Sequence, residues 1–239
     1  MSSNPFLPPR QREPAPGYGS TRVLTVLVVS ILALDAVLLI VNGVCVALLA
    51  VLDPGVLKQS EPRDPLSALL SVAVFLSSAF YLLAYGVGGF LFLFWLARAN
   101  QNARALGSKN MEFTPGWMVG WFFVPIFNLF KPYEAVDELY LASDPTSGED
   151  QWGASDPPRF ILAWWLSWLF FGIGGSLAHF LGGQTAWALV PNFAGPLAAA
   201  LAIAVVLSID RRQTEKRKRI GTLSSFNESP SSTPRKFSL

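Results

Sequence analysis

Charge is what this chain has least of. Only 14% of its 239 residues are Asp, Glu, Lys or Arg, against about 25% in a soluble domain. So few charges, set against 51% hydrophobic residues and a mean hydropathy of +0.40, point to lipid as the solvent. Cysteine and histidine are nearly missing too, Cys45 and His179 being the only ones. One of each excludes an intrachain disulfide and the usual Cys/His zinc sites. Gly86 and Gly88 have no third glycine at the spacing of a dinucleotide fingerprint and no strand before them, so that function is excluded as well. No cofactor and no metal are expected.

What the chain does have is long apolar runs. Val23 to Leu52 is broken only by Asp35 and Asn42 and ends in the turn sequence Asp53-Pro54-Gly55. It exceeds the 7–15 residues of a secretory signal core and reads as an uncleaved first span. Leu66 to Ala97 is a second span, Phe160 to Leu181 a third and Ala186 to Ile209 a fourth. Trp164, Trp165 and Trp168 open the third span, as aromatic residues do at membrane interfaces. Pro191 and Pro196 should kink or locally unwind the fourth, because each removes a backbone donor. The helix of the second span should continue through Arg98 to Leu106, with Gly107 as its stop. Residues 1–22, rich in Pro, Gly and Ser, read as a disordered arm. Residues 210–239, basic and then Ser/Pro-rich, read as a disordered tail.

Between the second and third spans lies FTPGWMVGWFFVPIFNLFKPYEAVDEL, Phe113 to Leu139. Its apolar part, Gly116 to Phe130, is shorter than the ~20 residues a crossing needs and carries Pro125 in its middle. It reads as re-entrant or interfacial over 113–130, followed by a short amphipathic helix over 132–142. Pro115 and Gly116 are expected to turn the chain, and Trp117 and Trp121 to anchor one face at the headgroups. Pro125 frees a carbonyl that Asn128 is placed to satisfy, and Lys131 can snorkel to the phosphates. In the helix, Pro132 suits the first turn. Tyr133, Val136 and Tyr140 share one face, with Glu134, Asp137 and Glu138 on or near the other.

The fold class is therefore an all-α membrane protein of four transmembrane helices. Orientation follows from counting Lys and Arg. With both termini in the cytoplasm, sixteen lie inside and two, Lys58 and Arg63, outside. That is the bias the positive-inside rule demands, and it places the chain in the plasma membrane with a cytoplasmic loop between spans two and three.

Few residues offer chemistry. Asp35, near the middle of the first span, costs ~2.5–3.5 kcal/mol to insert as a charge, which makes it a functional candidate. The competing reading is a hydrogen-bonded Asp packed on another helix, with Asn42 or Asn192 as partner. Ser176 and His179 stand at i and i+3, but a nucleophile needs an orienting group and an oxyanion site as well. Glu134 and Glu138, one turn apart, could bind a cation or relay protons; the plainer reading is a solvated helix face. The run RRQTEKRKR after the fourth span suits anionic lipids, and without a folded basic domain nucleic acid is excluded.

The motif from Phe113 onward resembles a known family, the bacterial membrane proteins grouped as domain of unknown function 4328. Their pattern, FxPGWxxGWFFxPIxNLxxPYxxxxEL and then ASDP, is met here by Phe113, Pro115, Gly116, Trp117, Gly120, Trp121, Phe122, Pro125, Asn128, Leu129, Pro132, Tyr133, Glu138 and Leu139, with Ala142 to Pro145. The resemblance covers residues 66 to 210. Phe127 stands where a small residue is usual and Asp137 where a basic one is usual. It implies a multi-pass bacterial membrane protein and no reaction. The leading expectation is a non-enzymatic scaffold or regulatory component acting on a protein partner through its cytoplasmic loop. The alternative is a small oligomeric transporter or channel subunit using Asp35 and the irregular backbone near Pro125 and Pro191.

Overall fold

The computed structural model describes residues 17–53, 64–147, 156–180 and 186–228, without the side chains of 174–191, 193 and 223–228. The described residues form six helices: α1 (Arg22–Leu52), α2 (Pro65–Ala105), α3 (Pro115–Gly120), α4 (Lys131–Ala142), α5 (Arg159–Phe180) and α6 (Ala186–Glu228). The protein is all-α and membrane-embedded. α1, α2 and the 194–222 stretch of α6 are long and apolar enough to cross a bilayer, while α5 contributes a shorter apolar run, Arg159–Ile173. Three crossings thus rest on length and composition, and a fourth depends on α5.

Local chemistry sets the helix ends. The Asp64 carboxylate accepts the Ser67 N–H at 2.9 Å and Pro65 occupies the first turn, so α2 begins there. It stops where Gly107 takes φ 92, with Gly107 N–H on the Arg104 carbonyl at 3.0 Å and Ser108 N–H on the Ala103 carbonyl at 3.1 Å. Those two bonds make a Schellman stop, and Gly107 is the residue whose missing Cβ permits it.

α1 packs along both α2 and α6, and α6 packs along α5. The order around the bundle is therefore α2, α1, α6, α5. Among the described residues α2 and α5 meet chiefly through ring pairs, Tyr85 with Phe171 at 6.4 Å and Phe92 with Trp164 at 5.8 Å. Small residues close the α1–α6 seam: a Cβ on Gly195 would stand 2.4 Å from Leu39, and one on Gly43 would stand 2.9 Å from Asn192. The densest core lies at the end where α4 sits, with Trp95, Leu96, Met118, Val136, Leu139, Ile161, Trp165, Val205 and Ile209 buried. Outward, α1 and α2 expose Val37, Ile40, Phe75, Leu82 and Phe90, the apolar surface that lipid tails would cover.

Several sequence expectations need correction. α6 does not stop at 209 or lose structure at 210, but continues as helix to Glu228 and runs unbroken through Pro191 and Pro196. The arm is fixed at its end: Gly19 and the Asn102 side chain exchange two hydrogen bonds of 3.1 and 2.9 Å. A backbone with partners of that kind can offset its ordering entropy, which the composition of residues 1–22 by itself could not. The polar loop with Lys58 and Arg63, and the turn at 181–185, lie outside the described residues.

Candidate functional site

The motif segment builds a lid over one end of the bundle. Pro115 is the first residue of α3 and Gly116 lies inside it, so these two start a helix rather than turn the chain. Thr114 caps that helix by accepting the Trp117 N–H at 3.4 Å. Trp117 and Trp121 stack at 4.8 Å, with Trp117 exposed and Trp121 packed on the core. Gly120 suits that packing, since a Cβ there would stand 3.1 Å from the Trp117 ring and the ring would have to shift slightly. Beyond it the chain is irregular. Ile126 takes φ 69 and ψ −52, and Phe127 N–H bonds the Pro125 carbonyl at 2.8 Å. This is the strained, positive-φ γ-turn, unusual for a β-branched residue. The Pro125 carbonyl is thus satisfied by main chain, and Asn128 takes part through its own N–H, which donates to the Val124 carbonyl at 2.9 Å. Helical hydrogen bonding cannot cross Pro125, and the tightest available turn takes its place.

Below the lid, α4 is locked to the segment that follows α2 and to α6 by polar contacts. Glu138 accepts the N–H groups of Glu112 and Phe113 at 2.7 and 3.1 Å, which draws it inward. Burial pushes its carboxyl up, and those two backbone donors oppose the shift. Glu134 pairs instead with Lys131, which also lies 3.8 Å from Glu112 and over the Phe113 ring. The two glutamates therefore serve different partners and form no shared cation site. Pro132 is buried in the first turn of α4, and Tyr133 is half-buried beside Asp137. Asp137 is half-buried with Oδ1 unbonded among the described residues, and desolvation raises its carboxyl to about 6.

From α6, three residues that the sequence had placed in a solvated tail reach into this region. Arg212 bonds Asp144 at 2.7 Å and Tyr140 at 3.0 Å. Gln213 donates to the Ala99 carbonyl at 2.8 Å and to Ser143 Oγ at 3.0 Å. Lys216, 4% exposed, donates to the Ala142 carbonyl at 2.9 Å and to Ser108 Oγ at 3.0 Å, so its ammonium closes the C-terminus of α4. Their spacing (i, i+1, i+4) is that of a single helix face and was the available signal. It was hidden by the surrounding basic run. Nearby, Asp210 accepts from Thr21 and Thr25, both at 2.9 Å, and Trp95 Nε1 donates to Thr25 at 3.0 Å.

The second site is a cavity of about 250 Å³ in the gap between α2 and α5. Its walls come from α1, α2, α5 and α6, and Phe122 and Phe123 of the lid lie over it. Among the described residues Asp35 is the single charged side chain in the lining. It is 5% exposed, and Oδ1 has no hydrogen-bond partner among the described residues. The partners expected for it are engaged elsewhere or distant. Asn42 donates to the Val74 carbonyl, Ser77 and Ser78 at 3.2, 3.0 and 2.8 Å, while Asn192 lies against Gly43, about two helical turns along α1 from Asp35. Room for the carboxylate comes from Gly88, where a Cβ would stand 3.3 Å from Asp35 Oδ2. Tyr85, Gly89 and Phe123 are exposed as well as lining, so the cavity opens sideways between α2 and α5.

The structure thus separates the candidate residues into two groups. Pro115, Gly116, Trp117, Gly120, Trp121, Pro125, Asn128, Pro132, Tyr133, Glu134 and Glu138 form the lid and its support, while Asp35 lies in the cavity beneath. The side chains of Ser176, His179 and Pro191 lie outside the described residues. Among the described residues no group of three His, Cys, Asp or Glu is placed to hold a metal ion.

A family model described as domain of unknown function 4328 matches residues 66–211. No curated protein and no solved structure matches the chain.

Proposed function

We propose, on the premise that this chain belongs to the domain of unknown function 4328 family, that it is an integral membrane protein which takes a small amphiphilic molecule sideways from the bilayer into the cavity at Asp35, as a binding or carrier subunit. One observation carries the reading: a carboxylate 5% exposed, with one oxygen unbonded among the described residues, in a cavity of about 250 Å³. An unpaired acid at such depth is costly and tends to mark a ligand or ion path. Rings and small residues around one polar group are the usual make-up of a small-molecule site. The lid supports the same reading, because irregular backbone near membrane depth is tolerated where it lines a cavity and Phe122 and Phe123 do line this one. We assign it no bond-making reaction.

The accompanying topology is four crossings in the plasma membrane, with both termini, the lid and α4 on the cytoplasmic side. Photolabelling tests the binding role. A neutral, bilayer-soluble diazirine should label the peptide 81–93 of the reconstituted protein, and Gly89→Phe should abolish that labelling. Labelling no stronger than on the lipid-facing side of α1 would refute the reading.

A scaffold role is favoured by a different feature. Beyond Lys216, residues 217–222 of α6 are exposed; Arg217 lies over the Tyr18 ring and Arg219 donates to the Pro145 carbonyl at 3.2 Å, and with Lys218 they form a surface basic patch suited to anionic lipid or an acidic partner. A partner that co-purifies in gentle detergent and is lost on truncation after Lys216 would support this role. Absence of any such partner would remove it.

A further inference from the structure

We infer that the ligand of the Asp35 cavity is a lipophilic monovalent amine, bound as its ammonium ion. This inference rests on the cavity reading above and adds the charge of the occupant. Three observations carry it. Among the described residues the lining contains one carboxylate and no Lys, Arg or His, so no described side chain supplies the negative charge with a counterion. The remaining wall is rich in rings, Tyr81, Tyr85, Phe92, Trp164, Trp168 and Phe171 among them, and ring faces attract cations, more strongly when water is excluded. Oδ1 of Asp35 is a buried acceptor for which the described residues supply no donor.

A neutral apolar guest would leave that acceptor unmet, and an anion would be repelled by it. A divalent cation would need six or more oxygen ligands, whereas this wall offers one carboxylate and two phenols. An ammonium satisfies the charge and the hydrogen bond together, and its hydrocarbon part meets the apolar wall. Asp35 lies roughly 20 Å along α1 from its start, at 1.5 Å per residue, so the amine must be able to enter the hydrocarbon. Size sets a further limit: a cavity of about 250 Å³ takes one head and a short chain or ring, not a whole phospholipid.

The test is direct titration of the full chain in nanodiscs with 4-phenylbutylammonium and with its uncharged analogue 4-phenylbutanol. The amine should bind at least tenfold more tightly. Asp35→Asn, which keeps the shape of the side chain, should bring the amine down to the level of the alcohol, and Asp35→Glu should restore part of the difference. Equal binding of both probes to the native protein would overturn the ammonium assignment while leaving the cavity reading standing. Binding of neither would overturn both. Discs of phosphatidylglycerol alone and discs with added phosphatidylethanolamine separate the sources. Competition by the second lipid would identify a lipid amine as occupant, and equal affinity in the two would identify a free one; either result supports the site. A far-UV spectrum and elution volume matching the native protein qualify each variant, and Ala202→Phe, which fills the cavity from α6, should abolish binding of both probes.

Discussion

Lys216 and Asp35 are both buried charges, 4% and 5% exposed, and their surroundings are opposite. Lys216 lies at the α4 end and reaches two acceptors at 2.9 and 3.0 Å. Asp35 faces a cavity, and one of its oxygens reaches nothing among the described residues. A charge whose bonds are met holds elements together, and one whose bonds are unmet is held ready for something else. Burial by itself does not distinguish structure from function; the accounting of partners does.

That comparison can be broken by substitution. Lys216→Met should have the largest effect, a loss of about 2–3 kcal/mol, because two charge-assisted bonds disappear and the Ala142 carbonyl keeps only the Ser108 hydroxyl as donor, at 2.6 Å. Chemical unfolding in micelles measures it, and an unchanged midpoint would sink the structural reading of this lysine. Next comes the wall of the cavity. Gly195→Val forces a side chain into Leu39 and Phe171, at 2.4 and 3.1 Å from the Cβ position, and should cost about 2 kcal/mol by overpacking. Glu138→Gln keeps the shape but weakens acceptance of the Glu112 and Phe113 N–H groups. It should cost about 1–1.5 kcal/mol in the same assay.

A pH effect follows from Asp137, whose carboxyl is raised by desolvation from the ordinary 3.8 to about 6. A raised folded value means that the native state binds the proton more tightly. The contribution to stability is present in full below about pH 4 and is lost as pH rises through 6. With the side chain only half-buried, solvent screening limits it to about 1 kcal/mol. Asp137→Asn should flatten the slope of unfolding midpoint between pH 4 and 7, and an unaltered slope would exclude Asp137 as its source. Glu138 is shifted in the same direction and adds to the slope. The smallest effect is expected at Asp35. Asp35→Asn removes a desolvated charge that no described residue pairs with, so stability should stay within about 1 kcal/mol or rise. A loss as large as that of Lys216→Met would erase the difference between the two sites.

Much of the fold was legible in the chain. Apolar runs located the long helices to within a few residues at most ends, since the greasy length a membrane requires is a property of sequence. Gly107 announced the stop of α2 and Pro132 the first turn of α4, where a proline donor is not needed, whereas Pro115 suggested a turn and begins a helix. The lid was recognised as irregular from Pro125. The partners were not legible. Arg212, Gln213 and Lys216 looked like part of a solvated basic run, and Glu138 like part of a wet acidic face. Their neighbours lie 70 to 114 residues away for Lys216 and Gln213 and 25 or 26 residues away for Glu138.

By itself, then, the sequence determined that this chain lives in a membrane, where its helices run, and that Asp35 would be costly there. Those facts depend on composition, periodicity and transfer energies, which are local. Only the tertiary structure decided which buried charge is satisfied. Hydrogen bonds are short and directional, so whether a donor reaches an acceptor depends on how α1, α2, α5 and α6 come together, and no stretch of sequence carries that distance.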